Sequence, residues 1–479
     1  MSLVRRTVVS TSWNLTAHAV SVVVLLVRSI LLARWLPVEV FGIYTFAVSI
    51  VSLSSTVVSF GMGPAFLHRA PESEDEQQAA AVHFTLKLIF TISWAVLLWV
   101  GAFRFATGPT RITLLLLTFT TAGVQLTETP RLILTRRVVH RRLALADLVS
   151  VLLAALVTLG LAWHGVALWA LLATDVVNAS LAILALYVWR PVWRPRLAWL
   201  PAIMRYFLNF GGRNFLVTVL VVALDNVDNL WTGRYLGKTS LGFYSRAYAF
   251  ATYPRTILAA PINTVAGGTL AELKGNRPRL SAAFFQISAL LVRGGFFMAG
   301  LLALVAPEFI RLVLGAKWLP MLDAFRLMLV FTLLDPMRKT TALLFLAVGK
   351  PEQIAYTYCI QLVALISGMF LLGPRLGIAG IALAVNIMLV IGMVIMLWRA
   401  RTFVDISLGQ LFIVPGLALV MGMLLARWAI ALPGVPGSDW RTGFVKAAIF
   451  TVVYGTLVLA FEWRWVMRSL SWLRTGSLG

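Results

Sequence analysis

Only one cysteine, Cys359, occurs in the 479 residues, and it stands in an apolar stretch. A lone thiol excludes an intrachain disulfide, a thiolate cluster and a cysteine-based zinc site. Acidic side chains are scarce too: 18 Asp and Glu stand against 41 Lys and Arg, a formal net charge of +23. Charged residues of both signs make up 12% of the chain, where a soluble globular domain carries about 25%. No G-x-x-x-x-G-K-[ST] loop is present to cradle phosphates, which argues against an ATP-driven pump. Long polar segments are also missing. The connections between apolar runs are short, and no extramembrane domain fits among them.

What remains is apolar. Hydrophobic residues are 60% of the chain, and mean hydropathy is +0.89. Runs such as VSVVVLLV and LVSVLLAALVTLGLAW do not alternate as barrel strands would. Lipid leaves backbone polar groups unsatisfied unless a helix pairs them internally. The fold class expected is therefore an all-α integral membrane protein. At ~20 apolar residues per crossing, the runs amount to about fourteen transmembrane helices. Arg5 and Arg6 precede the first run, and no small-residue cleavage site follows, so that run reads as a retained first helix.

Lys and Arg cluster at one set of helix ends: Arg5/Arg6, Arg136/Arg137, Arg194/Arg196, Arg277/Arg279 and Arg399/Arg401. These ends are expected in the cytoplasm, which puts both termini there. The excess charge is read as topology and contact with lipid headgroups, with no nucleic-acid partner. The tail EWRWVMRSLSWLR reads as an interfacial helix with Arg464 and Arg468 on one face and Trp463 and Met467 on the other.

Two stretches repeat. RWLPVEVFGIY at Arg34 to Tyr44 and RYLGKTSLGFY at Arg234 to Tyr244 align Arg34 with Arg234, Gly42 with Gly242 and Tyr44 with Tyr244. The same register pairs Asn14 with Asn214 and Arg28 with Asp228. Weaker echoes are HGVALWA at His164 with LGIAGIA at Leu376, and ETPR at Glu128 with DPMR at Asp335. Each unit holds six helices, an even number, so the expected arrangement is a parallel repeat around an axis along the membrane normal. The expected divisions are an N-lobe over 1–200, a C-lobe over 201–402, and two further helices with the tail over 403–479. Polar stripes on the first helix of each lobe, Asn14, His18, Ser21 and Arg28 against Asn214, Thr218, Asp225, Asp228 and Thr232, lie on single helix faces. Two lobes facing a shared polar axis are the architecture of alternating access.

RYLGKTSLGFYSRAYAFATYP, PINTV and FIRLVLGAKWLPML also resemble the polysaccharide-transporter branch of the multidrug/oligosaccharidyl-lipid/polysaccharide exporter superfamily. These are the Wzx-type flippases and colanic-acid exporters. The resemblance covers nearly the whole chain. It implies a non-enzymatic flippase that moves a polyprenyl-pyrophosphate-linked oligosaccharide from the inner to the outer leaflet of the cytoplasmic membrane. A polysaccharide polymerase and chain-length machinery are the implied partners of a monomer.

Ionisable groups inside spans cost ~3 kcal/mol or more, so they usually face a cavity or a partner. Arginine suits a pyrophosphate because its planar fork donates two parallel hydrogen bonds and stays charged. The candidate substrate-binding residues are Arg28, Arg246, Arg255, Arg293, Asn14 and Asn214, with Arg213 read as snorkelling. Asp225 and Asp228 are candidates for a coupling Na⁺ or H⁺ site, or for a gate formed with Arg28. No catalytic residue, metal or bound cofactor is expected. The competing readings are a drug or cation antiporter of the same superfamily, whose cavity should be acidic, and a polysaccharide polymerase or ligase, which needs a long external loop.

Overall fold

The computed structural model describes residues 20–69, 76–137, 140–431 and 439–475. Within them every regular element is helical. In chain order these are α1 (20–35), α2 (Val38–Ser59), α3 (Met62–His68), α4 (Glu76–Phe105), α5 (Gly108–Leu126), α6 (Glu128–Arg136), α7 (His140–Trp163), α8 (Ala167–Ile183), α9 (Pro201–Tyr235), α10 (Lys238–Glu272), α11 (Arg277–Phe309), α12 (Leu322–Ala347), α13 (Glu352–Ala400), α14 (Leu408–Ala431) and α15 (Asp439–Thr475). Among the described residues, nine helices are long and apolar enough to cross a membrane. Many of their largest apolar side chains point outward, Leu97, Phe105 and Trp163 among them. Helices that face hydrocarbon need no polar outer surface.

Two helices hide a break. α13 has 49 residues, and at 1.5 Å per residue it would run ~74 Å, over twice a ~30 Å hydrocarbon core. Gly377 resolves this with φ 58° and ψ −137°, a conformation that favours glycine. The chain turns back there, and Arg399 near the end of α13 donates through Nη1 to Gln353 Oε1 near its start. Each half is long enough to span. α15 is broken at Glu462 (φ −127°, ψ 24°), so the expected interfacial tail begins a separate helix; its side chains from Arg464 on lie outside the described residues.

The chain forms two compact units, Met1–Ser245 and Arg246–Gly479. The boundary falls within α10, and in the first unit α9 packs along α2 and α3. In the first unit a core of Met62, Phe66, Phe84 and Phe207 joins α3, α4 and α9. In the second, Phe296, Leu411, Phe450 and Tyr454 join α11, α14 and α15.

The repeated glycines meet each other. A Cβ built on Gly42 would lie 1.7 Å from Lys238 O and 3.0 Å from Gly242 N, and one on Gly242 would lie 2.2 Å from Val38 O. Val38 and Lys238 are themselves 200 residues apart, so the contact is reciprocal. Each helix start rests on the partner position of the other, and only glycine lets the backbones approach this closely. Overpacking such a contact costs ~1–3 kcal/mol or more. Gly42→Leu and Gly242→Leu are each expected to cut membrane accumulation several-fold, read by quantitative blotting. Gly160→Ala, where nothing lies within 4 Å, is the control that should leave it unchanged.

Candidate functional site

Among the described residues, the densest charge cluster lies in the second unit, around Asp335 on α12. Its carboxylate is wholly buried. Arg255 Nη1 on α10 lies 2.6 Å from Oδ2, Arg338 Nη2 lies 2.5 Å from Oδ1, and Lys339 Nζ lies 3.7 Å from Oδ2. Spacings of three and four on α12 put Arg338 and Lys339 beside the acid by helix geometry alone. Arg255 arrives from another helix. Thr332 on α12 donates to Ala251 O, one turn before Arg255, and so fastens α10 to α12. Pro254 immediately precedes Arg255 and interrupts the α10 hydrogen-bond ladder there. The guanidinium also stacks on an aromatic wall, with Cζ 5.0 Å from the Phe331 ring centre. Arg338 does the same against Tyr358 at 5.3 Å.

Three cations around one carboxylate leave a net positive charge. A cavity of about 470 Å³ opens beside the cluster, lined by Arg255, Lys339, Thr256, Asn263 and Thr264 together with alanines and leucines. Thr340 donates to Asn263 Oδ1 at 2.7 Å, so the amide is held through its oxygen. A cavity with fixed cations, hydroxyls and an amide can accept oxyanions without paying their full desolvation.

In the first unit a smaller polar network joins α1, α2, α7 and α8. Arg28 Nη1 lies 3.4 Å from Thr174 Oγ1, which is 3.2 Å from Thr158 Oγ1. Tyr44 donates to Asp175 Oδ2 at 2.8 Å, and the Arg28 charge acts on the same carboxylate. Asp228 is buried on α9. It accepts from Tyr244 at 2.6 Å through one oxygen and from the Asn229 amide at 2.8 Å through the other. The two repeated tyrosines therefore each hold a carboxylate, but from different helices. Outside the spans, Lys238 sits over the Phe46 ring beside the Gly42 contact, and burial, aided by Arg234, pulls its ammonium down to about 8.

Other expected site residues are dispersed. Arg246 is half-buried on α10, and Asp225 is exposed on α9. Arg293 is buried in a bidentate pair with Glu462 at 2.5 Å, and also donates to Ala289 O and Gln410 O. That position ties α11 to α14 and α15. Asn14 lies outside the described residues, as does the side chain of Asn214. Arg213 is exposed on α9.

Sequence reasoning missed Asp335, Arg338 and Lys339 as a site, although DPMR at Asp335 echoes ETPR at Glu128. The counterpart acid, Glu128, is likewise paired: the fully buried Lys87 reaches both Glu128 and, at 2.8 Å, Gln125 Oε1. Gly63 makes room for it, since a Cβ there would lie 2.7 Å from Glu128 Oε1. Two echoing acids, each at or near a proline, were the available signal.

The family described as "Polysaccharide biosynthesis protein" matches residues 31–323, well over half of the chain. The chain belongs to the polysaccharide biosynthesis protein family. Curated relatives agree. The chain is 25% identical over 339 residues to the lipopolysaccharide biosynthesis protein WzxC of Escherichia coli (strain K12), covering 70% of this chain and 68% of that one. It is 26% identical over 301 residues to the succinoglycan biosynthesis transport protein ExoT of Rhizobium meliloti (strain 1021), covering 60% and 58%. The match to the teichuronic acid biosynthesis protein TuaB of Bacillus subtilis (strain 168) is 24% identical and covers 38% of each protein. Among solved structures, the fold matches the lipid II flippase MurJ in an inward closed conformation, with a TM-score of 0.74 over 96% of this chain and 98% of that one at 15% identity. An inward-facing multidrug resistance MATE family transporter of the MOP superfamily matches with a TM-score of 0.60 over 82% and 98% at 17% identity. At such identities the shared property is the fold. This member of the polysaccharide biosynthesis protein family is thus a multi-pass, all-helical membrane protein, and the resemblance to the Wzx-like branch of the exporter superfamily holds.

Proposed function

We propose that this protein is a flippase for a lipid-linked oligosaccharide, a polyprenyl-pyrophosphate glycan, carrying it from the cytoplasmic to the outer leaflet by alternating access. The observation that carries the reading is the Arg255–Arg338–Lys339 cluster around one buried carboxylate, beside a cavity that Arg255 and Lys339 enter among alanines, leucines, threonines and Asn263. In this reading Arg255 and Lys339 meet phosphate oxygens, while Asn263 and the threonines meet phosphate or sugar. The same chemistry is proposed for Arg28 and Arg246, each in its own unit. Asn14 and Asn214 would offer amides to sugar hydroxyls. Arg293, engaged by Glu462, is proposed to serve packing.

The fuller architecture belongs to the same proposal: fourteen helices in two six-helix lobes, two added C-terminal helices, both termini in the cytoplasm, and a monomer in the inner membrane. The reciprocal Gly42–Gly242 contact supports a two-fold relation between the first helical hairpins of the two repeats. Protonation or cation binding at Asp225 and Asp228 is the proposed coupling step, and no enzymatic step is invoked. A cation or drug antiporter is the weaker reading, because the two basic groups that line the cavity, Arg255 and Lys339, oppose a cationic substrate. Depletion of the protein in its native cell, followed by mass spectrometry of lipid extracts, is the test. A polyprenyl-pyrophosphate oligosaccharide should accumulate. Unchanged lipid-linked glycans with altered drug sensitivity would favour the antiporter.

A further inference from the structure

A second basic cavity lies where the two ends of α13 come together. Its volume is about 530 Å³, and it is lined by Gln353, Trp398, Arg399, Arg401, Thr402 and Phe403. The hairpin turn at Gly377 creates it by returning Arg399 to Gln353. Arg399 is further fixed by stacking, with Cζ 4.2 Å from the Tyr356 ring centre.

Its charges are not balanced. The neighbouring acids are taken by other cations: Asp405 by Arg277 at 2.9 Å, and Glu352 by Lys350 at 3.7 Å. Arg277 also covers the carbonyls of Arg401 and Thr402 just past the end of α13. Among the described residues, Arg399 and Arg401 have no carboxylate partner. Two guanidinium groups around a cavity are an oxyanion site by chemistry.

A second, independent feature identifies the source of the anion. Ile387, Val390, Val394 and Trp398 are 42%, 46%, 62% and 68% exposed. Their spacings of three and four make one apolar stripe along α13, and Arg401 continues it by one more step of three. At the helical rise, residues 387 to 398 span about 16 Å, the depth of one leaflet of a ~30 Å hydrocarbon core. The stripe is capped by an exposed tryptophan, a residue favoured at membrane–water interfaces. Free phosphate has no use for such a track. We infer that the Arg399–Arg401 cavity and the stripe below it bind one anionic glycerophospholipid, its phosphodiester between the two arginines and an acyl chain along Ile387, Val390 and Val394. The inference does not depend on the proposed substrate or on which leaflet the site faces.

The test is native mass spectrometry of the full-length protein in neutral detergent, titrated with phosphatidylglycerol, phosphatidylcholine or inorganic phosphate. Phosphatidylglycerol should bind at least tenfold more tightly than phosphatidylcholine. Arg399→Gln with Arg401→Gln should erase that preference while the melting profile stays close to wild type. Arg401→Gln alone, at an exposed site, is expected to weaken binding severalfold and guards against misfolding of the double variant. Val394→Asn should weaken lipid binding without affecting inorganic phosphate. Equal binding of both lipids, or no response to Arg401→Gln, overturns the proposal. Competition by inorganic phosphate as strong as by lipid would make this a free-anion site and overturn it equally.

Discussion

Asp335→Leu is expected to remove the protein from the membrane almost completely. The substitution deletes the counter-ion shared by Arg255, Arg338 and Lys339. At least two guanidinium groups would then face each other in a buried site, with no acid to offset their desolvation. Breaking a buried pair by removing one partner costs ~3–5 kcal/mol, and here one carboxylate serves three cations. That loss is a large fraction of the ~5–15 kcal/mol by which folded proteins are stable. Asp335→Asn should be nearly as damaging, because an amide accepts hydrogen bonds but carries no charge. Asp335→Glu should recover part of the abundance. Blotting of membrane fractions and thermal melting in detergent read all three. Wild-type abundance of the Leu variant would mean that the three cations are not held by this acid.

Arg255→Ala separates function from stability at the same site. Arg338 and Lys339 remain to pair with Asp335, so the variant is expected to fold and insert. The cavity, however, loses its best-placed guanidinium. A hydrogen bond to a charged group contributes ~1.5–3 kcal/mol, so loss of export by about ten- to a hundredfold follows for the one or two bonds that Arg255 would make. Arg255→Lys keeps the charge and loses the fork and the Phe331 stacking, and an intermediate activity is expected. Glycan export in complemented cells, normalised to membrane abundance, is the measurement. Full export by the Ala variant would leave Arg255 as a packing group only. Arg28→Ala is expected to behave similarly in the first unit, where Thr174 and Asp175 hold the side chain.

Much of this architecture was legible in the residues because lipid imposes a simple rule. Apolar runs of spanning length become helices, and α13 breaks at Gly377, close to the boundary that hydropathy suggested. The repeated Gly42 and Gly242 proved to be a contact, which the repeat alone did not say. What the residues could not convey was partnership. Arg293 and Glu462 are 169 positions apart, and Arg255 and Asp335 are 80 apart. Local pattern carries no information at such separations; packing decides which acid a cation meets. The register of the repeat had set Arg28 against Asp228. In the structure Asp228 bonds Tyr244 and the Asn229 amide, while Arg28 faces Thr174. The acid at Asp175 was not legible in the residues, because its contact with Tyr44 depends on how α2 lies against α8.

The most direct measurement is translocation in proteoliposomes containing only the purified protein. A fluorescent polyprenyl-pyrophosphate oligosaccharide is placed in both leaflets, and a membrane-impermeant reagent that destroys the label is added outside. With the wild-type protein, and with an ion gradient imposed, nearly all of the label should become accessible. With Arg255→Ala, as in protein-free vesicles, about half should stay protected. If the wild-type protein leaves half of the label protected under every gradient tried, while a cationic dye crosses the same vesicles, the flippase account is contradicted.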